Sequence, residues 1–216
     1  MELTVFGASG GVGREVVRQA LDAGHEVTAV VRDPARLGVA AHDRLRVAVI
    51  ADLTDEDALL PVLSGRSAVI SALGAAGNKQ ARLAPVTGPA LRAIVSAMDR
   101  AGVSRLAAVS AAPVGPDVTD DGWFSRKVFL PLLRRALRDL YADLAVMEAA
   151  IRASGTQWTV IRPPRLLNRP GTGRYRRVVG ANVPGGRVIA RADVADALLT
   201  SLADPSTLHQ AVGVAA

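Results

Sequence analysis

The strongest chemical signal in the chain is a glycine-rich stretch near its start. Gly7-Ala8-Ser9-Gly10-Gly11-Val12-Gly13 lies where an apolar run, Leu3–Phe6, gives way to helical spacing. Glycine at such a junction permits a tight turn, lets backbone amides approach an anion and allows a helix to pack closely on a strand. The N–H groups that open the helix add a positive partial charge suited to phosphate. Packing alone would also keep a glycine turn. The position after a strand, before a helix and at the head of a βαβ unit is what makes it a nucleotide-phosphate turn. The doubled glycine leaves two spacings open. Gly7, Gly10 and Gly13 fit G-x-x-G-x-x-G, whereas Gly7, Gly11 and Gly13 fit G-x-x-x-G-x-G.

The end of the next apolar run, Val30-Val31-Arg32-Asp33-Pro34, bears on which dinucleotide is bound. An acid at a strand end holds both ribose hydroxyls of NAD, and an arginine suits the 2′-phosphate of NADP. Arg32 takes the strand-end position and Arg36 follows within reach, which favours NADP(H) over NAD(H). Asp33 is one residue of register away from an NAD-type acid. Asp52-Leu53, past the third apolar run, either meets the adenine or leaves Asp52 to cap a helix through Asp55.

These residues need a scaffold, and the apolar pattern supplies one. Strands are expected at Leu3–Phe6, Glu26–Val31, Leu45–Ile50, Ser67–Ala72, Arg105–Ser110 and Gln157–Arg162, with a short one near Ala211–Val214. Helices are expected at Gly11–Ala23, Asp55–Leu63, Pro85–Ala101, across Lys127–Ser154 and at Ala192–Leu202. Strands alternating with helices argue for an α/β fold with a doubly wound parallel sheet whose ligands sit at the carboxyl ends of the strands. Residues 163–190 are rich in proline and glycine with little helical period, and read as a small C-terminal substrate lobe inserted in a single domain spanning 1–216.

Composition removes several alternatives. With no cysteine among 216 residues, disulfides, thiolate metal sites and a cysteine nucleophile are excluded. Three scattered histidines argue against a metal site. The net charge is +6, and all but two of the 26 basic residues are arginine, a bias that fits a GC-rich genome as well as an anionic small ligand. Aromatic residues make up 3%, too few for a nucleic-acid stacking platform. No apolar run approaches the roughly 20 residues that cross a bilayer, and no leader is expected before Leu3, so a cytoplasmic protein without membrane contact is the expectation.

The chain resembles the atypical short-chain dehydrogenase/reductase group, the NAD(P)H-binding proteins related to NmrA and to flavin reductase (biliverdin-IXβ reductase). The resembling pieces are G-A-S-G-G-V-G at 7–13, V-R-D-P at 31–34, A-D-L at 51–53 and S-A-L-G at 71–74. They continue with A-V-S-A at 108–111, W-T-V-I-R-P-P-R-L at 158–166 and R-A-D-V-A at 191–195, and they span nearly the whole chain in order. The resemblance implies a Rossmann fold. It implies that Ala72, Leu73 and Gly74 pass beneath the adenine-ribose side of the cofactor and that Ser110 stands beside the nicotinamide. It further implies that Pro163 and Pro164 wall the nicotinamide and that Arg165 points into the substrate space.

One departure matters. Standard members use Tyr-x-x-x-Lys, in which lysine lowers the tyrosine pKa for proton transfer to a carbonyl. Here Tyr141 is followed four residues later by Ala145 and Tyr175 by Val179, so the motif is absent, and Leu144 stands where relatives often carry lysine or histidine. The expected reaction is hydride transfer from NADPH to an acceptor needing little proton help: a flavin, quinone, imine or conjugated carbonyl. Ser110, Tyr141 and Arg165 are the catalytic candidates, with Ser110 alternatively satisfying backbone and Tyr141 alternatively packing. Two other functions stay open: a non-enzymatic NADP(H)-binding redox sensor, and a non-redox epimerase or dehydratase. Arg165, Arg169, Arg174, Arg176 and Arg177 point to an anionic substrate or to a solvated rim. A loop with Asp117, Asp120, Asp121, Gly122, Trp123 and Phe124 either covers a planar substrate or anchors to the core. The 127–154 helical region could form a homodimer, although its apolar stripe is equally needed to cover the sheet.

Overall fold

The computed structural model describes residues 1–74, 78–83, 87–115, 132 and 135–216. Its first six strands follow the apolar runs: β1 (Glu2–Phe6), β2 (Glu26–Val31), β3 (Leu45–Val49), β4 (Ala68–Ser71), β5 (Arg105–Val109) and β6 (Gln157–Arg162). All but β3 are buried along most of their length, as strands covered by helices on both faces must be. Three short strands follow, β7 (Arg165–Leu167), β8 (Arg176–Val179) and β9 (Val188–Ala190), and then β10 (Gln210–Ala215).

Eight strands form one sheet in the order β3-β2-β1-β4-β5-β6-β10-β8, while β7 pairs with β9 alone. Every pairing in the large sheet is parallel except that of β8 with β10. The chain winds outward from β1 in one direction through β2 and β3. It then returns beside β1 and winds the other way through β4, β5 and β6. The resulting switch point between β1 and β4 is where a doubly wound sheet opens a crevice at its carboxyl edge. Register brings the strand ends level there: Phe6 stands opposite Val30 and Ser71, Ser71 opposite Ala108, and Val109 opposite Ile161.

Helix α1 (Gly11–Asp22) buries Val12, Val16 and Ala20 together with Gly13, Val17 and Leu21, two rows at four-residue spacing that make one stripe. Helix α2 (Glu56–Leu63) starts at Asp55, whose carboxylate accepts the amides of Asp57 and Ala58 at 3.1 and 3.2 Å. The remaining described helices are α3 (Asn78–Leu83), α4 (Thr87–Arg100), α5 (Arg138–Ala153) and α6 (Arg191–Leu202). Two of them are capped across helices. Asp143 of α5 accepts the Thr87 and Gly88 amides that open α4, and Asn78 of α3 accepts the Asp139 and Leu140 amides that open α5. The sheet separates two apolar cores. One lies under α1 and α6, with Val16, Leu21, Val194 and Leu198; the other lies under α2, α4 and α5, with Leu59, Leu91, Met98 and Met147.

Some elements differ from the sequence expectation. Residues 163–190, where the apolar pattern marked no elements, hold three short strands, and β8 extends the main sheet through β10. Helix α3 is additional to the helices expected from the apolar pattern. Pro85 and Lys127, at the expected starts of the fourth-strand helix and the long helical region, lie outside the described residues. Among the described residues no helix is long and apolar enough to cross a membrane.

Candidate functional site

The glycine turn sits at the switch point. Gly7 has φ +72°, a conformation that favours glycine, and a Cβ on it would stand 2.6 Å from the Ala72 carbonyl oxygen and 2.9 Å from the Leu73 amide nitrogen. The turns after β1 and β4 therefore touch backbone to backbone. Gly13 lies on the opposite side of the turn, where a Cβ would overlap the Gly7 carbonyl oxygen, so its role is to let α1 close on β1. Gly10 donates its amide to Gly7 O at 2.9 Å, and a Cβ on it would be 3.1 Å from that same oxygen. Gly7 and Gly13, which both candidate spacings share, are thus the two glycines that backbone contacts within the turn require, while Gly10 is only tightly placed. Gly11 is different: its missing Cβ leaves room for the stem of Arg191. Ala8 and Val12 are buried beneath the turn, and Ser9 lends its carbonyl to Arg14 Nη2 at 2.9 Å. The amides of Gly11, Val12 and Gly13 open α1 with no helical acceptor, and Gly10 has no side chain to cap them.

At the end of β2, Arg32 and Arg36 are exposed. Asp33 is exposed as well and bonds its own backbone. Its carboxylate accepts the Ala35 amide at 3.0 Å and caps the short helical turn Pro34–Arg36. Arg14 approaches the same region from α1. Its side chain bridges from Ser9 to Gly38, where a Cβ would stand 3.5 Å from Arg14 Cδ. Arg14 is a candidate that sequence reasoning passed over, although it directly follows the third glycine.

Asp52 accepts the Thr54 amide at 2.8 Å and the Thr54 hydroxyl at 2.7 Å, and these two bonds hold its carboxyl below the ordinary range. It stabilises a turn one step ahead of the true helix cap, Asp55. Leu53 packs part-buried on the α2 side of the core. Ala72 and Leu73 are half-buried and Gly74 is exposed, in the turn against which Gly7 packs.

A cluster of buried polar groups lies at the ends of β4, β5 and β6. Ser110 donates its amide to Ile161 O at 2.8 Å, which seats it beside Arg162. Arg162 forks onto Glu148 of α5, with Nε–Oε1 2.9 Å and Nη2–Oε2 2.5 Å, and Arg152 Nη2 reaches the same Oε2 at 2.7 Å. Glu148 and Arg162 are almost wholly buried, at 1% and 5% exposure. Burial alone would push the Glu148 carboxyl up. The bond from Arg162, the nearby Ser110 hydroxyl and the charges of Arg162 and Arg152 outweigh it and hold the group below the usual carboxylate range. Ser110 Oγ stands close enough to contribute, yet falls short of full hydrogen-bond geometry. It and Ser71 Oγ, on the same face of the sheet, are buried polar atoms without a bonded partner. A buried hydroxyl in that state costs free energy until a partner arrives. Glu148 and Arg162 were not anticipated as site residues; the available signal was a glutamate on the apolar stripe of Leu144, Met147 and Ile151.

The remaining candidates fall around this cluster. Pro163 is buried, and its carbonyl accepts the Ala112 amide at 2.9 Å, tying the turn after β6 to the turn after β5; Pro164 is half-buried beside it. Arg165 is exposed at the start of β7. Tyr141 lies two helical turns before Glu148 and packs part-buried against the α2–α4–α5 core. Tyr175 is structural: its hydroxyl donates to Asp196 at 2.7 Å, and burial followed by that carboxylate pushes the phenol well above its ordinary pKa. Arg169, Arg174, Arg176 and Arg177 are exposed; Arg177 pairs with Asp204 at 3.0 Å, while Arg176 donates to Pro184 O and Ala216 O. The loop carrying Asp117, Asp120, Asp121, Gly122, Trp123 and Phe124 lies outside the described residues. Among the described residues no group of histidine and acidic side chains is arranged to hold a metal.

Comparison with known proteins bears on the family and the fold. A family model described as NAD(P)H-binding matches residues 7–205. The uncharacterized protein YwnB of Bacillus subtilis is 30% identical over 222 aligned positions, covering 95% of this chain and 93% of that protein. Among solved structures, a wide-type short-chain dehydrogenase/reductase from Veillonella parvula in complex with NADP superposes with a TM-score of 0.77 at 18% identity, covering 100% of this chain and 94% of the other. ChuY from Escherichia coli O157:H7, an anaerobillin reductase, superposes with a TM-score of 0.72 at 23% identity, covering 100% and 97%. Both share the Rossmann fold with this chain.

Proposed function

The chain belongs to the NAD(P)H-binding family, and from that premise we propose that it is an NADPH-dependent reductase of a flavin, quinone, imine or conjugated carbonyl. The observation that carries the cofactor preference is the state of Asp33. Its carboxylate is engaged by the Ala35 amide, while the exposed Arg32 and Arg36 and the incoming Arg14 stand around the end of β2. An arginine fork suits a 2′-phosphate, and an acid already capping a turn is poorly placed to hold two ribose hydroxyls.

The residues present fit a bound dinucleotide. Gly7 and Gly13 let β1, the turn after β4 and α1 close on one another, the first amides of α1 have no side-chain cap and suit an anion, and Ser110 Oγ is a buried hydroxyl wanting a partner. When bound, the nicotinamide supplies a hydride. Ser110 would then bond the carboxamide or the acceptor, and Pro163 and Pro164 would exclude water from that side. The Glu148–Arg162 pair would hold Ser110 in place without giving up a proton, because a carboxylate kept ionised by two arginines is a poor acid. An acceptor that takes hydride without protein proton transfer is the chemistry this arrangement serves.

Calorimetric titration with NADPH and with NADH tests the reading. NADPH is expected to bind more tightly, and Arg32→Ala should weaken NADPH about tenfold or more while changing NADH by less than about twofold. Equal losses would remove the 2′-phosphate assignment. Screening FMN and menadione for NADPH oxidation then separates a reductase from a protein that only binds and senses the cofactor, since tight binding with no turnover would favour the sensor.

A further inference from the structure

Gly11 lacks a side chain for a reason unlike that of its neighbours. A Cβ there would stand 2.6 Å from Arg191 Cδ and 2.7 Å from Arg191 Nε, so the arginine stem lies across the first residue of α1. Arg191 arrives from α6, a helix locked alongside α1 by the bond from Gln19 Nε2 to Ala192 O at 2.9 Å. Its guanidinium is partly exposed, and Nη1 donates to Asn168 Oδ1. No described carboxylate forms an ion pair with it. The acid two residues on, Asp193, is turned away to the amides of Thr172 and Gly173 at 2.7 and 2.9 Å.

We propose that Arg191 is the pyrophosphate clamp of the dinucleotide site, and that Gly11 is glycine in order to seat it. The inference rests on the glycine turn being the cofactor site. Residues 7–13 contain no cation, so the turn itself offers the pyrophosphate backbone amides and the Ser9 hydroxyl but no full charge. Arg14, the next cation along, is bonded to Ser9 O and lies against Gly38. Arg191 brings the missing full charge to the amides of Gly11 and Val12 from an element distant in sequence. A guanidinium with one end on Asn168 keeps further N–H donors for two phosphate oxygens.

The test is calorimetry of wild type, Arg191→Met and Gly11→Ala with NADPH, NADH and adenosine 2′-phosphate, which has no pyrophosphate. Thermal melts establish that each variant is folded. Arg191→Met is expected to weaken NADPH and NADH by the same factor, about tenfold or more, and to leave adenosine 2′-phosphate within about twofold. Gly11→Ala, which displaces the arginine stem, should produce a smaller loss of the same pattern, and it carries the test alone if Arg191→Met does not fold. Unchanged NADPH and NADH binding in the folded variants would overturn the clamp, as would a loss confined to NADPH. Failure of folded wild type to bind any of the three would instead overturn the cofactor reading beneath it.

Discussion

A carboxylate sealed from water remains an anion only while neighbouring charges replace its hydration, and Glu148 meets that condition through Arg162 and Arg152. Removing its charge would strand Arg162 in the interior, so Glu148→Gln should cost about 3–5 kcal/mol of stability by urea unfolding at neutral pH. Pairing it with Arg162→Met should restore much of that. The pH dependence has a definite sign. The folded-state pKa of Glu148 is depressed, so its contribution is present above the unfolded value and is lost as pH falls toward the folded one. Wild type should therefore lose stability on acidification below about pH 4–5, and Glu148→Gln should lose less over the same range. Identical acid dependence in the two proteins would show that Glu148 is not held as described. The pair was hard to read in advance because its members are 14 residues apart on different elements, and a helical glutamate ordinarily faces solvent. Ser110 was legible as the polar residue at the end of an apolar strand. Its nearness to Glu148 was not, since that arises only when α5 packs over β5 and β6.

The β1–α1 turn is the element that local sequence specifies best, because Gly7, Gly10 and Gly13 answer to a neighbour a few residues away or to the adjoining strand, and only Gly11 answers to a distant residue, Arg191. The structure also ranks them. A Cβ on Gly13 meets fixed backbone at Gly7, whereas one on Gly10 makes only a tight 3.1 Å contact. Gly13→Ala should therefore push α1 off β1, with a stability loss of about 1–3 kcal/mol or more, and Gly10→Ala should be tolerated better. Chemical denaturation of the two variants checks the order, and a Gly13 variant as stable as wild type would mean that α1 is not seated on the turn. Elements built on distant partners were less readable. Helix α3 spans six residues, too few for a periodic signal, yet its Asn78 caps α5. Strands β7, β8 and β9 are three or four residues each and sit among prolines and glycines, so alternation had no length in which to appear.

At the scale of the molecule, the sheet is assembled outward from the switch point, and its far side depends on a strand that arrives last. β10 runs between β6 and β8, parallel to the first and antiparallel to the second. Its apolar pattern announced a strand near Ala211–Val214, but its place in the sheet is a nonlocal choice that periodicity does not carry. Val212 and Val214 are 2% and 1% exposed, and they belong to the same core as Ile161, Val194 and Leu198. Each buried valine is worth about 1.5–3 kcal/mol. Removing the strand would also bare the edge of β6 and detach β8 from the sheet. These losses together approach the ~5–15 kcal/mol that separates a folded domain from its unfolded chain. Deleting residues 210–216 should therefore abolish cooperative urea unfolding and expose surface that binds a hydrophobic dye. The glycine turn, though remote in sequence, should lose its nucleotide affinity as well, because α6, which shares a core with β10, also carries Arg191 against Gly11. A deletion that kept a cooperative transition would mean that β8 can close directly on β6, and that the carboxyl-edge site is organised by the strands from β3 to β6 alone.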